Sequence, residues 1–296
     1  MVGAARAVSR SEVRAFLDRN GLLARKDLGQ NFLVEDHVAE RLADLAGVSP
    51  GSNVIEVGTG TGVLTAALAA RAARVVTLDV DAGLVRALRA DRVMPANVEL
   101  LHADVLKVDL ARIARSFGGP VRLVSNLPYS ISGPVLRRLL DLASLLEDWS
   151  VMVQREVGER LLAEPGSRRY GSLGVLHRLV VRAERRMDLE PGGFFPAPQV
   201  RSTFLRMTPL SPPVLAAGEL PRVERVIRAA FGRRRKTLVN ALRSGSLTPV
   251  PTREQLRDLF ADLSVGPQAR GETLTPAQFL ALARALDPVA AKLGTD

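Results

Sequence analysis

Short apolar strands alternate with helical segments between residues 53 and 154, and this alternation constrains the fold more than any other feature. The predicted strands are NVIEV (53–57), RVVTLDVD (74–81), NVELLHAD (97–104), VRLVSN (121–126) and WSVMVQ (149–154), and the predicted helices are VLTAALAARAA (63–73), AGLVRALRADR (82–92) and PVLRRLLDLASLLED (134–148). Strands that return through helices form a parallel sheet with right-handed crossovers. We therefore predict an α/β fold with helices on both faces of the sheet.

The segments outside this alternation predict a second domain. HRLVVRAERRMDL (177–189) and VRSTFLRMTP (200–209) are expected to add an antiparallel edge to the sheet. Residues 210–221 are rich in proline and are interpreted as a linker, and residues 222–296 show only helical patterns. The predicted organisation is a first domain over 1–209, a linker over 210–221 and a small all-helical domain over 222–296.

The net charge of +10 favours a polyanionic partner such as RNA. The strongest cluster lies in the predicted helical domain and consists of Arg233, Arg234, Arg235 and Lys236. A generally arginine-rich composition or a solvated charged face is the alternative, because only four of the 41 basic residues are lysines. Since smaller clusters occur elsewhere as well, we predict that residues 233–236 contact RNA.

Several classes of protein and site are disfavoured by what the sequence lacks. Without cysteine the chain has no disulfides, no thiolate metal site and no thiol catalysis, and its three scattered histidines suggest no zinc site. No apolar run approaches the roughly 20 residues of a membrane span, and the first twenty residues contain no apolar signal-peptide region. We expect a cytoplasmic protein with neither a metal nor a membrane partner.

A glycine-rich loop directly follows the first predicted strand of the alternation. Gly58, Gly60 and Gly62 allow the backbone to approach a ligand closely. The dinucleotide fingerprint needs glycine or alanine one position after Gly62, where this chain has Val63, so a nicotinamide-dependent oxidoreductase is disfavoured. Glu56, just before the loop, is unusual in a buried strand unless it orders the loop or meets a positive group.

Polar side chains end the next three predicted strands of the sheet. Asp79 can accept hydrogen bonds from both ribose hydroxyls of a nucleoside, and Asp104 could reach an adenine amino group. Asp104 could equally be a simple strand-end cap. Together with Asn126 they form a row along the carboxyl edge of the sheet, and this row resembles an S-adenosylmethionine site.

The sequence Asn126-Leu127-Pro128-Tyr129 ends a core strand in an unusual way. The Asn126 amide oxygen and the Leu127 carbonyl could each accept one N–H of an exocyclic amine, which localises the nitrogen lone pair and orients it for attack. Tyr129 could stack on a base that has been flipped out of its helix. In isolation an ordinary turn would explain these residues, but behind the glycine loop we favour a catalytic role.

These motifs together resemble the ribosomal RNA adenine N6-dimethyltransferase family over nearly the whole chain. The matching segments are LGQNFL (28–33), EVGTGTGVLT (56–65), SNLPYSIS (125–132), VQREVGERLLAEPGSRRYGSLGVL (153–176) and FFPAPQVRS (194–202). FGRRRKTLVNAL (231–242) and VGPQARGETLTPAQFLAL (265–282) resemble the branch that acts on small-subunit rRNA. The resemblance implies a Rossmann-like class I methyltransferase sheet and S-adenosylmethionine as the cofactor.

The resemblance also implies roles for individual residues. Asn31 and Leu33 would close over the cofactor, which Gly58, Gly60, Asp79, Asp104 and Asn126 would bind along the sheet edge. Asn126, Leu127, Pro128 and Tyr129 would hold the target amine. Phe194 would stack on the flipped adenine, with Phe195 as the adjacent alternative. Four positions depart from the family pattern, namely Thr59, Asp79, Gln199 and Arg201.

The function implied is dimethylation of two adjacent adenines near the 3′ end of 16S rRNA during maturation of the small ribosomal subunit, by an enzyme expected to be a monomer. One alternative is the related branch that methylates 23S rRNA and confers macrolide resistance. Another is an RNA-binding assembly factor without catalytic activity, although the intact Asn126 argues against a pure binder.

Overall fold

The fold is built on a seven-stranded sheet with the strand order β4-β3-β2-β5-β6-β9-β7. The computed structural model describes residues 9–91, 94–233, 235–245 and 247–286. The strands are β1 (Phe32–Leu33), β2 (Asn53–Val57), β3 (Arg74–Asp79), β4 (Val98–His102), β5 (Val121–Asn126), β6 (Leu146–Gln154), β7 (Val181–Leu189), β8 (Phe194–Phe195) and β9 (Ser202–Pro209). Strands β2 to β6 pair in parallel, and β9 pairs antiparallel to β6. The predicted α/β fold class is therefore confirmed.

Helices connect these strands and follow them. They are α1 (Arg10–Arg19), α2 (Asp36–Leu45), α3 (Val63–Ala69), α4 (Ala82–Ala90), α5 (Leu110–Arg115), α6 (Ser132–Asp141), α7 (Arg155–Leu162), α8 (Ser172–Arg178), α9 (Leu220–Phe231), α10 (Leu238–Ser244), α11 (Arg253–Asp262) and α12 (Pro276–Ala285). Several predicted boundaries were wrong, among them the two that follow. The helix predicted over 134–148 ends at Asp141, because residues from 146 already pair with β5. The strand predicted from residue 177 begins at Val181, after α8.

The chain divides into two compact units. Unit 1 comprises the residues up to Gly158 together with Glu184–Pro209, and unit 2 comprises Glu159–Ala183 together with the residues from Leu210 onward. The sequence analysis instead assigned the whole of 1–209 to one domain. Residues 159–183 belong to unit 2 because they pack there: the Tyr170 hydroxyl donates a 2.8 Å hydrogen bond to the Leu274 carbonyl, and the Tyr170 ring meets Phe231 edge-on.

The core of unit 1 explains the apolar strands of the sequence. Strand β2 lies between β3 and β5, and Val54, Ile55 and Val57 are all buried. A strand covered on both faces needs a nearly continuous apolar run rather than an alternation. Each large aliphatic side chain that is fully buried contributes roughly 1.5–3 kcal/mol, so the sheet is a rigid support for the loops at its edge.

The described residues of unit 2 contain helices and the first residues of β7. Thr252 and Thr275 begin α11 and α12 with complete capping boxes, in which Gln255 and Gln278 return the hydrogen bond. Glu219, before α9, accepts hydrogen bonds from Arg284 and Arg222, and Arg284 in particular lowers the pKa of this carboxyl to about 2. The capping boxes are local signals that begin α11 and α12, whereas the bond between Arg284 and Glu219 joins residues 65 positions apart.

Two absences hold for the part of the chain that the structure describes. Within the ranges given above, no helix is both long enough and apolar enough to cross a membrane. The same ranges contain no group of three or more histidine, aspartate or glutamate side chains placed to hold a metal ion.

Candidate active site

A cavity in unit 1 lies at the carboxyl ends of β2, β3 and β5, where an open α/β sheet normally binds its ligand. It brings together most of the residues singled out in the sequence: Asn31, Leu33, Gly58, Gly60, Asp79, Asp104, Asn126, Leu127, Pro128 and Tyr129. These residues come from five separate stretches of the chain. Four of the stretches follow β2, β3, β4 and β5, whose carboxyl ends meet at one edge of the parallel sheet, whereas the stretch with Asn31 and Leu33 contains β1 of the separate two-stranded sheet.

The glycine loop over residues 58–62 has a conformation that depends on glycine. Gly58, Gly60 and Gly62 have φ values of +81°, +56° and +84°, a region that other residues rarely adopt. A Cβ atom on Gly60 would also lie 3.0 Å from the Phe32 ring. The loop is tied to β3, since the backbone N–H groups of Gly58 and Thr59 both donate to the Leu78 carbonyl. The loop is therefore a fixed wall of the cavity.

Asp79 links the end of β3 to the glycine loop. One carboxylate oxygen accepts the Gly60 N–H at 2.9 Å, and the other accepts the Asp81 N–H at 2.9 Å. Burial raises the pKa of this carboxyl, and its hydrogen bonds to backbone N–H groups oppose the shift. Each oxygen keeps a second lone pair, so the side chain is oriented and can still accept bonds from a ligand hydroxyl.

Asp104 caps the chain after β4 and also lines the cavity. Its Oδ1 accepts the Leu106 N–H at 2.8 Å, which is the strand-end role considered above. The side chain is 31% exposed, and Lys107 lies 3.6 Å from its Oδ2 atom. The capping bond uses Oδ1, so it does not exclude a ligand contact at Oδ2.

The side-chain amide of Asn126 is held in one orientation. Its Nδ2 group donates a 2.9 Å hydrogen bond to the Asn31 carbonyl, which can only accept. The Oδ1 atom on the other side of the amide is buried and has no hydrogen-bond partner in the structure. An unpaired buried acceptor is costly, so this oxygen fits a ligand that brings an N–H donor into the cavity.

The residues around Asn126 are anchored from several directions. The Ser125 hydroxyl donates to the Val57 carbonyl, and the Leu127 N–H donates to the Met152 carbonyl. Among the described residues, no hydrogen bond uses the Leu127 carbonyl. The Tyr129 hydroxyl pairs with that of Ser202, which is buried at the start of β9. The segment is therefore rigid, and its unused acceptors lie in adjacent residues.

The structure does not bring Phe194 to the cavity, in contrast to the role implied by the resemblance. Its ring is fully buried in the hydrophobic core, and β8 pairs it with Leu33 of β1. A ring without exposed surface cannot stack on a base in this conformation. Phe195, the alternative, is partly exposed and lies opposite Phe32. Successive residues of a strand face opposite sides, which is why only one of the two rings is enclosed.

The segment over residues 25–33 closes one side of the cavity through residues that the sequence analysis did not single out. Gln30 accepts the Arg25 N–H and donates to Asp81, so it ties the segment to the chain after β3. The Ser130 hydroxyl donates to the Leu28 carbonyl, while a Cβ on Gly29 would lie only 2.8 Å from that hydroxyl. Leu28, Gly29 and Gln30 belong to the LGQNFL motif, but their partners Asp81 and Ser130 are distant in the sequence.

The predicted basic cluster lies between α9 and α10 in unit 2. Arg233, Arg235 and Lys236 are exposed, and Arg234 lies outside the described residues. Arg235 also lines a surface cleft within unit 2 together with Arg168, Arg270 and Glu272. Arg168 and Arg270 come from other parts of the chain, so the sequence alone did not group them with the cluster.

The comparisons with known proteins agree with this site. A family model described as ribosomal RNA adenine dimethylase matches residues 21–287. This match covers most of the chain, including every predicted cavity residue. The chain belongs to the ribosomal RNA adenine dimethylase family. Its curated relatives include the ribosomal RNA small subunit methyltransferase A of Geobacter metallireducens, which is 42% identical over 267 residues, or 90% of this chain and 96% of the relative.

A further relative and two solved structures extend the likeness. The ribosomal RNA small subunit methyltransferase A of Anaeromyxobacter dehalogenans is 42% identical over 281 residues, covering 92% of this chain and 97% of the relative. Among solved structures, a dimethyladenosine transferase from Plasmodium falciparum has a TM-score of 0.70 at 23% identity, covering 85% of this chain and 95% of that one. The 23S rRNA methyltransferase ErmE has a TM-score of 0.63 at 25% identity, and the match covers 87% of this chain and 100% of that one.

Proposed function

We propose that this protein is an S-adenosylmethionine-dependent methyltransferase that dimethylates N6 of two adjacent adenines near the 3′ end of 16S rRNA, in the small ribosomal subunit or its precursor. The observation that carries the proposal is the buried, unpartnered Asn126 Oδ1 atom in a cavity walled by the glycine loop. The family membership supports the reaction, and the small-subunit names of its curated relatives support the substrate.

The cavity residues suit S-adenosylmethionine. When bound, this cofactor supplies an electrophilic methyl group on a sulfonium. Gly58 and Gly60 let the backbone approach the ligand, Asp79 and Asp104 present carboxylate oxygens, and Asn31 and Leu33 enclose the cavity from the 25–33 segment. Val63 stands where the dinucleotide fingerprint has glycine or alanine, and its side chain leaves little room for a pyrophosphate. S-adenosylmethionine contains no pyrophosphate.

The residues of the chain hold the target amine. An adenine amino group has two N–H donors, and the Asn126 Oδ1 atom and the Leu127 carbonyl are two unused acceptors in adjacent residues. Both hydrogen bonds localise the nitrogen lone pair and strengthen as positive charge develops on that nitrogen. Tyr129, fixed through Ser202, offers its ring as a stacking surface for the flipped base. Pro128 restricts the backbone between Leu127 and Tyr129. No strong base is needed, because the methylated amine that forms is a cation and loses its proton readily.

We further propose that residues 233–236, of which Arg233, Arg235 and Lys236 are exposed, contact rRNA phosphates together with the adjacent cleft that Arg168 and Arg270 line. Arginine binds phosphate well because its planar guanidinium donates two parallel hydrogen bonds. The net charge of +10 supports the same partner. The enzyme is proposed to act as a monomer in the cytoplasm and without a metal.

The alternative substrate is 23S rRNA, which is named for the structural neighbour ErmE at 25% identity. The curated relatives named for the small subunit reach 42%, and this difference favours 16S rRNA. A non-catalytic assembly factor is disfavoured, since a pure RNA binder would not need the unpaired amide oxygen of Asn126.

The experiment that tests the proposal is methyl transfer from labelled S-adenosylmethionine to under-methylated small subunits, with large-subunit rRNA as a matched control. Mass spectrometry of the RNA maps the product. We expect N6-dimethyladenosine at two adjacent positions in 16S rRNA only. Label confined to 23S rRNA would support the alternative branch, and cofactor binding without label in either RNA would support the assembly factor.

A further inference from the structure

A fully buried carboxyl group lies beneath the glycine loop. Glu56 of β2 is 0% exposed, and burial raises its pKa to about 8. Its Oε2 atom accepts hydrogen bonds from the hydroxyls of Thr65 in α3 and Thr77 in β3, each at 2.6 Å. Glu56 is not among the residues that line the cavity, and the mechanism proposed above does not use it.

The direction of the hydrogen bonds continues from this carboxyl into the loop. A hydroxyl has one proton, and Thr77 gives its proton to Glu56. When Glu56 is ionised, Thr59 is therefore the donor in the 2.7 Å contact between the hydroxyls of Thr77 and Thr59. Thr59 is a loop residue that lines the cavity and is 4% exposed. The chain of bonds thus runs from Thr59 to Thr77 to Glu56.

This chain is the side-chain anchor of the loop. The other bonds that hold the loop, from Gly58 and Thr59 to the Leu78 carbonyl and from Gly60 to Asp79, all start at backbone N–H groups. They hold the first three loop residues through their backbone. The Thr59 hydroxyl adds a bond from a loop side chain to Thr77 of β3.

We infer that Glu56 and Thr77 are positioning residues that set the affinity of the glycine loop for S-adenosylmethionine by fixing Thr59. The inference rests on the proposed function, in that the ligand of the loop is this cofactor. Neither residue is expected to touch the cofactor or the reacting atoms. Their removal should weaken cofactor binding and leave the chemical step nearly unchanged.

Thr65 offers a matched control for Thr77. Both threonines are 0% exposed, and both donate to the same Glu56 oxygen at the same 2.6 Å distance. Only Thr77 passes the connection on to Thr59. Replacing either by the isosteric valine therefore removes one buried bond to Glu56, but only Thr77→Val leaves the Thr59 hydroxyl without its acceptor.

The test compares the full-length wild type with Thr77→Val, Thr65→Val and Thr77→Ser. Calorimetry gives the Kd for S-adenosylhomocysteine, thermal unfolding gives Tm, and steady-state kinetics gives KM for S-adenosylmethionine and kcat. A neutral hydrogen bond is worth about 1 kcal/mol, so we expect Thr77→Val to raise Kd and KM about fivefold with kcat almost unchanged. Thr65→Val should lower Tm about as much as Thr77→Val does, while its Kd stays within about twofold of the wild-type value. Thr77→Ser should bind S-adenosylhomocysteine like the wild type.

The possible failures are distinguishable. Equal changes of Kd in Thr77→Val and Thr65→Val, or no change in either, would overturn the inference and leave the proposed function intact. A wild-type protein that does not bind S-adenosylhomocysteine would contradict the proposed cofactor instead. If Thr77→Val does not fold, Thr59→Val removes the other end of the same bond, and an unaltered Kd in that variant would also overturn the inference.

Discussion

A single amide oxygen carries the chemistry at the residue scale. Asn126 Oδ1 is buried without a partner, whereas Nδ2 is committed to the Asn31 carbonyl. This asymmetry gives the side chain a defined acceptor face. Backbone atoms of other segments fix the orientation, so the acceptor does not need to reorganise when an amine arrives, and such preorganisation is a major source of catalytic power.

We expect Asn126→Ala to lower kcat for methyl transfer by at least about 10²- to 10³-fold, the usual effect of removing one preorganised group. The Kd for S-adenosylhomocysteine should rise only moderately, because the glycine loop and Asp79 remain. Single-turnover methylation of small subunits and calorimetry measure the two quantities. Ser132→Ala is the control, since its hydroxyl bonds to the Pro128 carbonyl nearby but does not line the cavity. Full activity in Asn126→Ala would refute the assigned role.

The sequence predicted the identity of the site residues but only part of their arrangement. Asn126 to Tyr129 are contiguous, so their grouping was visible directly. The partners that orient them are not: the Asn31 carbonyl lies 95 positions from Asn126, and Ser202 lies 73 positions from Tyr129. Glu56 was recognised as unusual, but its threonine partners could not be identified, because which strands lie side by side is a property of the folded sheet.

At the scale of elements, the pairing of the two-residue strands β1 and β8 decides which of the two phenylalanines is enclosed in the core. They pair antiparallel, with Phe32 opposite Phe195 and Leu33 opposite Phe194. Such short strands have no periodicity that a sequence can reveal, and their register places Phe194 in the core. The longer strands β2 to β6 were predicted because several consecutive apolar residues mark each of them.

We expect Phe194→Ala and Phe195→Ala to affect different properties. Removing the buried Phe194 ring should reduce the free energy of unfolding by about 3–5 kcal/mol, as is typical of a large core side chain. Removing the partly exposed Phe195 ring should cost much less stability but lower kcat/KM for the RNA. Chemical denaturation and methylation assays separate the two effects. If Phe194→Ala stays stable and loses activity against RNA, Phe194 rather than Phe195 contacts the base.

At the scale of the whole molecule, the basic surface of unit 2 joins segments that the sequence keeps apart. The boundary near residue 209 was predicted from proline content, but the membership of residues 159–183 in unit 2 depends on contacts such as that between Tyr170 and Leu274. This membership places Arg168 beside Arg235 and Arg270. A local reading of composition detects a linker, but it cannot detect a segment that crosses from one unit to the other.

The salt dependence of RNA binding tests whether this surface contacts phosphates. Each phosphate contact contributes about 0.7–0.9 to the slope of log K against log salt concentration. We expect the replacement of residues 233–236 by glutamine to weaken binding to small subunits and to make that slope shallower by about 3, if most of the four cations contact phosphate. Filter binding between low and moderate salt gives the slope for the wild type and the variant.

The control for this prediction removes the same charge from other exposed positions of unit 2. Four arginines serve the purpose: Arg225, Arg243, Arg253 and Arg257. Their replacement by glutamine lowers the net charge equally, so a general electrostatic attraction would change both slopes by the same amount. A specific phosphate-contacting surface would change the slope mainly in the 233–236 variant. An unaltered slope in that variant would mean that the cluster is a solvated face, and the contribution of unit 2 to RNA binding would then have to come from elsewhere.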